Sequence, residues 1–353
     1  MLKKILESIT LNHIYFFFSI LLLWILFSFC SELIPDYRSY ARVFGRLNSG
    51  IYNHSMETGY WLLCKFAVFL GLDFSVFRKI YGLIGFTLMG STAVRYTDKP
   101  YRVFLLYLLY PFLLDLVQIR HFMACAIIIF GIRYLEEFKK ENVVKYIMCV
   151  LLAMTQHSSA IVYSVFLLAY LRDIRSVMKI TISVTIGFFI FGKIIKNSTL
   201  YRVILDSCGK EGAYMGGIDT RQFVLYSSFF ILLSTICVFL WKNDGLRIIQ
   251  YSRNNDMYNQ LLFKICMLSV VFIPLVLIDF QLTRFFRGCV FIVEIYIVKQ
   301  INKVNMPDRF FIKVFMITLF TVVFIKLFGP SSAHYGKITK NVFFENILLH
   351  NLF

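Results

Sequence analysis

Apolar runs, each closed by a short polar or basic stretch, follow one another from Leu11 to Phe328. A helix needs about 17–25 predominantly apolar residues to cross the hydrocarbon core of a bilayer, fewer where it is buried in protein. On that scale the pattern predicts spans at 11–30, 76–94, 103–117, 119–135, 146–157, 159–171, 178–195, 222–241, 261–279, 284–299 and 311–328. Segment 60–72 is apolar but short and carries Lys65, which predicts a half-helix or interfacial helix. The expected fold is therefore all-α: a polytopic integral membrane protein with about eleven transmembrane helices plus that extra element. Residues 1–353 read as a single polytopic membrane domain, with no soluble domain left over. Outer loops 31–59 and 196–221 would contribute to its site. The first run follows Lys3 and Lys4 with no small-residue cleavage site after it, so it reads as a retained span. The stretch 329–353 is mildly amphipathic, with Phe343, Phe344, Leu348 and Leu349 as membrane-lying residues.

Composition agrees and narrows the function. Hydrophobic residues make up 59% of the chain and charged residues 16%, against about 25% charged in a soluble domain. The net charge of +17 is scattered over short connections instead of gathered in a patch or arm, which argues against nucleic-acid binding. With the N-terminus in the cytoplasm, the basic connections 95–102, 133–145, 172–179, 242–260 and 299–313 all face inward, as the positive-inside rule requires. A full crossing by 60–72 would invert them. Cys30, Cys64, Cys125, Cys149, Cys237, Cys266 and Cys289 lie in apolar runs and only Cys208 falls in a loop, so no disulfide framework or metal spacing is present. HExxH, P-loop, GxGxxG, GxSxG and CxxC patterns are absent.

The same orientation leaves a second set of charges outside. Arg38, Arg42 and Arg46 recur every fourth residue, so a helix carries them on one face. Such a stripe suits a phosphate or pyrophosphate, which guanidinium binds bidentately; the alternative is a solvated amphipathic helix against lipid headgroups. Glu57, opening the half-helix, is either a cap and dipole contact or a general base. In the tight turn Gln118-Ile119-Arg120-His121, an arginine costs roughly 2.5–3.5 kcal/mol at mid-membrane and needs an anionic ligand or a carboxylate such as Asp115. His157, in Gln156-His157-Ser158-Ser159, is a satisfied buried donor, a base near neutral pH, or a donor to an anion. Arg284 and Arg287 share a helical face after Asp279 and Gln281, and repel unless an anion or carboxylate lies between them. Tyr37, Tyr40, Tyr52 and Tyr60 offer faces on which sugar rings stack, although tyrosine also belongs to any membrane interface.

Taken in order, Asp36-Tyr37…Tyr40…Phe44, Glu57-Thr58-Gly59-Tyr60…Leu63, Ile119-Arg120…Ala124, His157-Ser158-Ser159 and Arg284…Arg287 resemble the EpsG-like family. These are bacterial membrane proteins of exopolysaccharide, capsule or O-antigen assembly, generally taken to be Wzy-type polymerases. Two positions depart from the family pattern: Thr58 stands where proline is usual and His121 where glutamine is usual. The second departure opens the question of whether an imidazole replaces an amide contact to substrate.

The resemblance implies an enzyme of the bacterial cytoplasmic (inner) membrane with its active site on the periplasmic or outer face. It would transfer a growing glycan from undecaprenyl pyrophosphate to an incoming lipid-linked repeat unit. Arg120 with Arg284 and Arg287 would hold the departing pyrophosphate, and His157 or Glu57 would serve as base. Asp36, Arg38, Tyr40, Arg42, Tyr60, Gln118 and His121 would bind substrate. No cofactor or metal is called for, because arginines stabilise the charge. The expected partners are the undecaprenyl-pyrophosphate-linked oligosaccharide, the bilayer, a chain-length regulator and a flippase. A flippase for the same lipid is a rival reading, but internal repeats and charges deep in the spans are not visible. A membrane acyltransferase or ligase would also want a histidine, yet the outer arginines fit pyrophosphate better.

Overall fold

Residues 11–50, 56–198, 220–245, 253–277, 279–332 and 336–350 are described by the computed structural model. Lys3, Lys4, Tyr52, Cys208, most of loop 196–221 and the side chain of Leu349 lie outside the described residues. Regular structure is helical throughout the described residues, and the chain is an all-α polytopic membrane protein. Among the described residues, five helical segments are long and apolar enough to cross a membrane: Leu11–Ser28, Ile174–Gly192, Phe223–Asn243, Met257–Val276 and Met306–Phe328. Shorter apolar helices are Thr58–Phe69, Pro100–Leu109 and Ser158–Tyr170.

Several expected spans are broken, for local reasons. The run 103–117 divides into α5 (Pro100–Leu109) and α6 (Phe112–Val117) at Pro111, which has no N–H to continue a helix. The Pro111 carbonyl accepts from Leu114 N at 2.9 Å and Asp115 N at 3.2 Å and so starts α6. One turn later Gln118 leaves helical geometry (φ −101°, ψ 66°), and α7 begins at Ile119 (Ile119–Gly131). Two breaks within ten residues leave irregular backbone, which in a bilayer is tolerated only inside protein or beside a water-filled cavity. The run 159–171 is wound as a 3-10 helix, Ser158–Tyr170. At about 2.0 Å per residue, its 13 residues reach about 26 Å, close to the hydrocarbon thickness that an α-helix of that length would miss. The run 261–279 is α-helical only to Leu268 and then tightens into 3-10 turns around Pro274.

The chain divides into two compact units. The first holds the described residues of Met1–Tyr134, Lys140–Ser164 and Lys313–Phe353. Here α1 (Leu11–Ser28) packs on α4 (Phe74–Tyr96) and α5, and α7 packs between α4 and α8 (Lys140–Gln156). Apart from Arg120 and half-buried Phe130, α7 is buried all round, so it is an inner helix. Its approach to α4 depends on Gly85: a Cβ there would lie 2.6 Å from Phe122 Cζ, whose ring sits 5.1 Å from Phe27 and 5.0 Å from Phe86. The short α2 (Tyr37–Asn48) buries Tyr37, Tyr40 and Phe44. Their rings meet Phe74 and Phe77 on α4 and Tyr60 on α3 (Thr58–Phe69) at 5.2–6.0 Å. Helix α3, at about 1.5 Å per residue, is near 18 Å long, shorter than the hydrocarbon core of a bilayer.

The second unit comprises the described residues of Leu135–Lys139 and Val165–Ile312. Its centre is α12 (Arg284–Gln300), buried along almost its whole length. It packs on α10 (Thr220–Gly245) and α11 (Arg253–Leu268), with Phe286 stacked on Phe230 at 4.5 Å. Helix α9 (Ile174–Asn197) also packs on α11.

Arg78 and Lys264, two of the buried cations inside apolar runs, cap helix ends. Arg78 on α4 is 1% exposed; its Nε donates to Phe27 O at 3.1 Å and its Nη2 to Leu116 O at 2.9 Å. Those carbonyls belong to the last turns of α1 and α6, where backbone acceptors lack helical partners and the dipole is negative. Lys264 does the same for the 3-10 helix, donating from Nζ to Ala169 O at 3.2 Å and Leu171 O at 2.6 Å.

Candidate functional site

Three strings that are far apart in sequence meet in the first unit. Glu57 is the N-cap residue of α3, yet its carboxylate makes no cap to its own helix. One oxygen instead pairs with Arg120 Nη1, and the other accepts from the backbone N–H of Ser158 at 3.3 Å. Glu57 and Arg120 side chains are 15% and 23% exposed, so the pair is sheltered but reachable. The guanidinium also lies over the rings of Tyr40 (5.5 Å) and Tyr60 (5.8 Å), which suits a cation to an aromatic face. Burial pushes the Tyr40 phenol above its ordinary range, and Arg120 pulls it partly back. Arg120 Nε is buried and finds no hydrogen-bond acceptor among the described residues. With five donors on the fork, the group retains capacity for an anion.

The carboxylate reaches this place because α3 comes very close to the end of α8. A Cβ on Gly59 would lie 2.6 Å from Gln156 Nε2 and also run into the Thr155 side chain. Glycine at the third position of Glu57-Thr58-Gly59-Tyr60 is therefore a packing requirement. Gly59→Val is expected to push α3 off α8 and lower stability by about 1–3 kcal/mol. That exceeds the helix-propensity gain of roughly 0.5–1 kcal/mol from losing a glycine. Thermal unfolding of the purified variant would measure it.

His157 sits where α8 gives way to the 3-10 helix. Its Nδ1 accepts from Ser159 N–H at 3.3 Å and lies 2.6 Å from Ser159 Oγ. Its ring meets His121 edge to face at 5.4 Å between centroids. His121, 1% exposed, has Nδ1 3.4 Å from Cys125 Sγ and 4.0 Å from Asp115 Oδ1. Asp115 accepts from Tyr107 OH at 2.9 Å. The Asp115–Arg120 pair offered by the sequence is thus not formed: α6 and α7 turn the two side chains apart, His121 and Tyr107 take Asp115, and Glu57 takes Arg120. Gln118 supplies the non-helical residue between those helices. Tyr81 OH donates to Gln156 Oε1 at 3.0 Å, a buried contact that sequence reasoning missed, as it missed Arg78.

The other candidate residues make different contacts. Arg38, Arg42 and Arg46 are exposed on the face of α2 opposite Tyr40. Arg38 and Arg42 line an open cleft of about 430 Å³ with Glu32, Tyr37, Asp73 and Ser75. Asp36 precedes α2 in a left-handed conformation (φ 65°). Arg284 and Arg287 belong to the second unit. Arg284 donates to the Gln281 carbonyl and side-chain oxygen, each at 2.8 Å, while Arg287 is 4% exposed. Among the described residues no three His, Cys, Asp or Glu side chains are grouped as a metal site.

The chain is an all-helical membrane protein in which a short helix, a broken helix and a 3-10 helix gather an arginine, a glutamate, a histidine and tyrosine rings. The family model named EpsG family matches residues 13–339, and the chain belongs to that family, a group of polysaccharide polymerase-like membrane proteins. No curated protein and no solved structure gives a match.

Proposed function

We propose that this protein polymerises a bacterial surface polysaccharide at the outer face of the cytoplasmic membrane. It moves a growing glycan from undecaprenyl pyrophosphate onto the terminal sugar of an incoming lipid-linked repeat unit. The observation that carries the reading is the convergence of Glu57, Arg120 and the His157–Ser159 turn beside Tyr40 and Tyr60.

The chemistry follows from that set. Transfer breaks an anomeric C1–O bond, so negative charge grows on the pyrophosphate while the sugar becomes oxocarbenium-like. A guanidinium already bound to the departing pyrophosphate stabilises that charge as it grows. The aromatic faces around Arg120 suit the sugar next to the bond that breaks. Arg38 and Arg42, on their open cleft, are assigned to guiding the acceptor's lipid pyrophosphate, with Asp36 and Gln118 as further substrate contacts. Arg284 and Arg287 are assigned anion binding. A chain-length regulator and a flippase are the proposed partner proteins.

The test is purified protein in lipid nanodiscs, given an undecaprenyl-pyrophosphate-linked repeat unit. The expected result is a ladder of lipid-linked products with release of undecaprenyl pyrophosphate, undiminished by EDTA. Loss of the ladder on chelation would remove the metal-independent part of the scheme. Movement of the lipid between leaflets without elongation would replace polymerase by flippase.

A further inference from the structure

Two groups at this site could take a proton from the acceptor sugar, and their hydrogen bonds are of different kinds. Nδ1 of His157 accepts from a backbone N–H, that of Ser159. A backbone N–H offers no lone pair, so Nδ1 must present one, and the single proton of the neutral ring sits on Nε2. The Ser159 hydroxyl, 2.6 Å from the same nitrogen, completes that arrangement by donating as well. The outward nitrogen of such an imidazole gives a hydrogen bond and has no lone pair for an incoming proton. Glu57, by contrast, holds lone pairs on both oxygens, one set covered by Arg120 and the other by Ser158 N–H. The other ionisable neighbours are the phenols of Tyr40, Tyr60 and Tyr81, which carry their protons near neutral pH, the buried Cys64 thiol, and His121, which lies against His157 and is itself buried against Asp115 and Cys125.

From these bonds, and resting on the polymerase reading, we infer that Glu57 is the proton acceptor of the transfer and is uncovered when the donor pyrophosphate replaces it on Arg120. A pyrophosphate has more oxygens and more charge than one carboxylate, and Arg120 can turn its fork from one to the other. The acceptor hydroxyl oxygen then bonds to the anomeric carbon, and the bond from that carbon to pyrophosphate breaks with its electron pair leaving on the phosphate oxygen. The hydroxyl proton passes to Glu57, which returns it to water afterwards. His157, through Nε2–H, donates to an oxygen that gains charge. The salt bridge in this structure is thus a resting cover, and donor binding arms the base.

The experiment compares variants of the full chain in nanodiscs, with the undecaprenyl-pyrophosphate-linked repeat unit as probe. Glu57→Gln is expected to lower turnover about 100-fold or more while binding the probe as tightly as wild type or more so, because Arg120 has lost its internal competitor. A merely structural role would weaken binding instead. Glu57→Asp keeps a carboxylate and retains measurable turnover, and His157→Gln keeps a side-chain donor and stays within about tenfold of wild type. Nitrogen-15 NMR of wild-type His157 is expected to report the Nε2–H tautomer, a result that needs no variant to fold. Turnover within tenfold of wild type in Glu57→Gln overturns the assignment, as does an Nδ1–H tautomer or a His157→Gln variant that binds but does not elongate. A wild type that binds the probe and never elongates it takes down the polymerase reading and this assignment together, an outcome distinct from elongation that survives Glu57→Gln.

Discussion

Cells carrying Arg120→Ala in place of the native chain are expected to display a glycan of one repeat unit instead of a ladder. Arg120 stands to make two charge-assisted hydrogen bonds to the departing pyrophosphate, each worth about 1.5–3 kcal/mol. At about 1.4 kcal/mol per factor of ten, losing both slows transfer by roughly 10² to 10⁴, enough to abolish a polymer that needs many successive transfers. The alanine also strips Glu57 of its cation and leaves a sheltered carboxylate on one backbone N–H. Arg120→Lys keeps the charge but not the two-pronged geometry, so short ladders are expected. A gel of surface polysaccharide, with the protein confirmed in the membrane by blot, reads the outcome. A normal ladder would remove Arg120 from the mechanism, and lipid-linked units trapped inside the cell would point to translocation instead.

Arg78→Met is expected to lower stability by about 2–4 kcal/mol. Methionine matches much of the volume and spares the protein a buried charge, which on its own would stabilise. The partners left behind decide the sign. Leu116 O loses its guanidinium donor and Phe27 O is left with only the weak thiol donor of Cys30 at 3.4 Å, at about 1–3 kcal/mol each. The contacts of the guanidinium over Phe27 (4.7 Å) and Tyr37 (5.4 Å) are lost as well. Arg78→Lys reaches one carbonyl and falls between. Because Leu116 lies one turn before Arg120, the methionine variant should lose activity along with stability. Unfolding midpoints of the purified variants in one detergent check the ranking. A methionine variant as stable as wild type would mean that both carbonyls find other donors.

Most helices and several of the breaks are legible in the apolar pattern, because lipid leaves a chain few alternatives to helix. The half-helix at 58–69 is visible as a run too short to cross. The 3-10 winding of 158–170 is not, since apolar periodicity over 13 residues does not distinguish 3.0 from 3.6 residues per turn. Arg78 and Lys264 carried a readable signal, a cation inside an apolar run, but their partners are backbone carbonyls that no side-chain motif announces. For the site, the residue types at Glu57, Arg120 and His157 stand out as polar residues between apolar runs. Their pairing does not, because Asp115 is the nearer carboxylate to Arg120 in sequence and only the turn at Gln118 sends the guanidinium to Glu57. The tautomer of His157 rests on one backbone N–H and is likewise a product of the fold.

The order in which the Glu57 bridge is made on the ribosome has a consequence for biogenesis. The carboxylate emerges 63 residues ahead of its guanidinium and 101 residues ahead of the Ser158 amide. At about 5–20 residues per second, the guanidinium follows after several seconds and the amide after longer still. Through that interval Glu57 has neither of the partners that it holds in the folded chain, and its place beside α8 is completed only after α8 has been made. Helices inserted early are then finished by ones inserted late, and a nascent chain halted before residue 158 carries every charge of the pair without the architecture that closes over it.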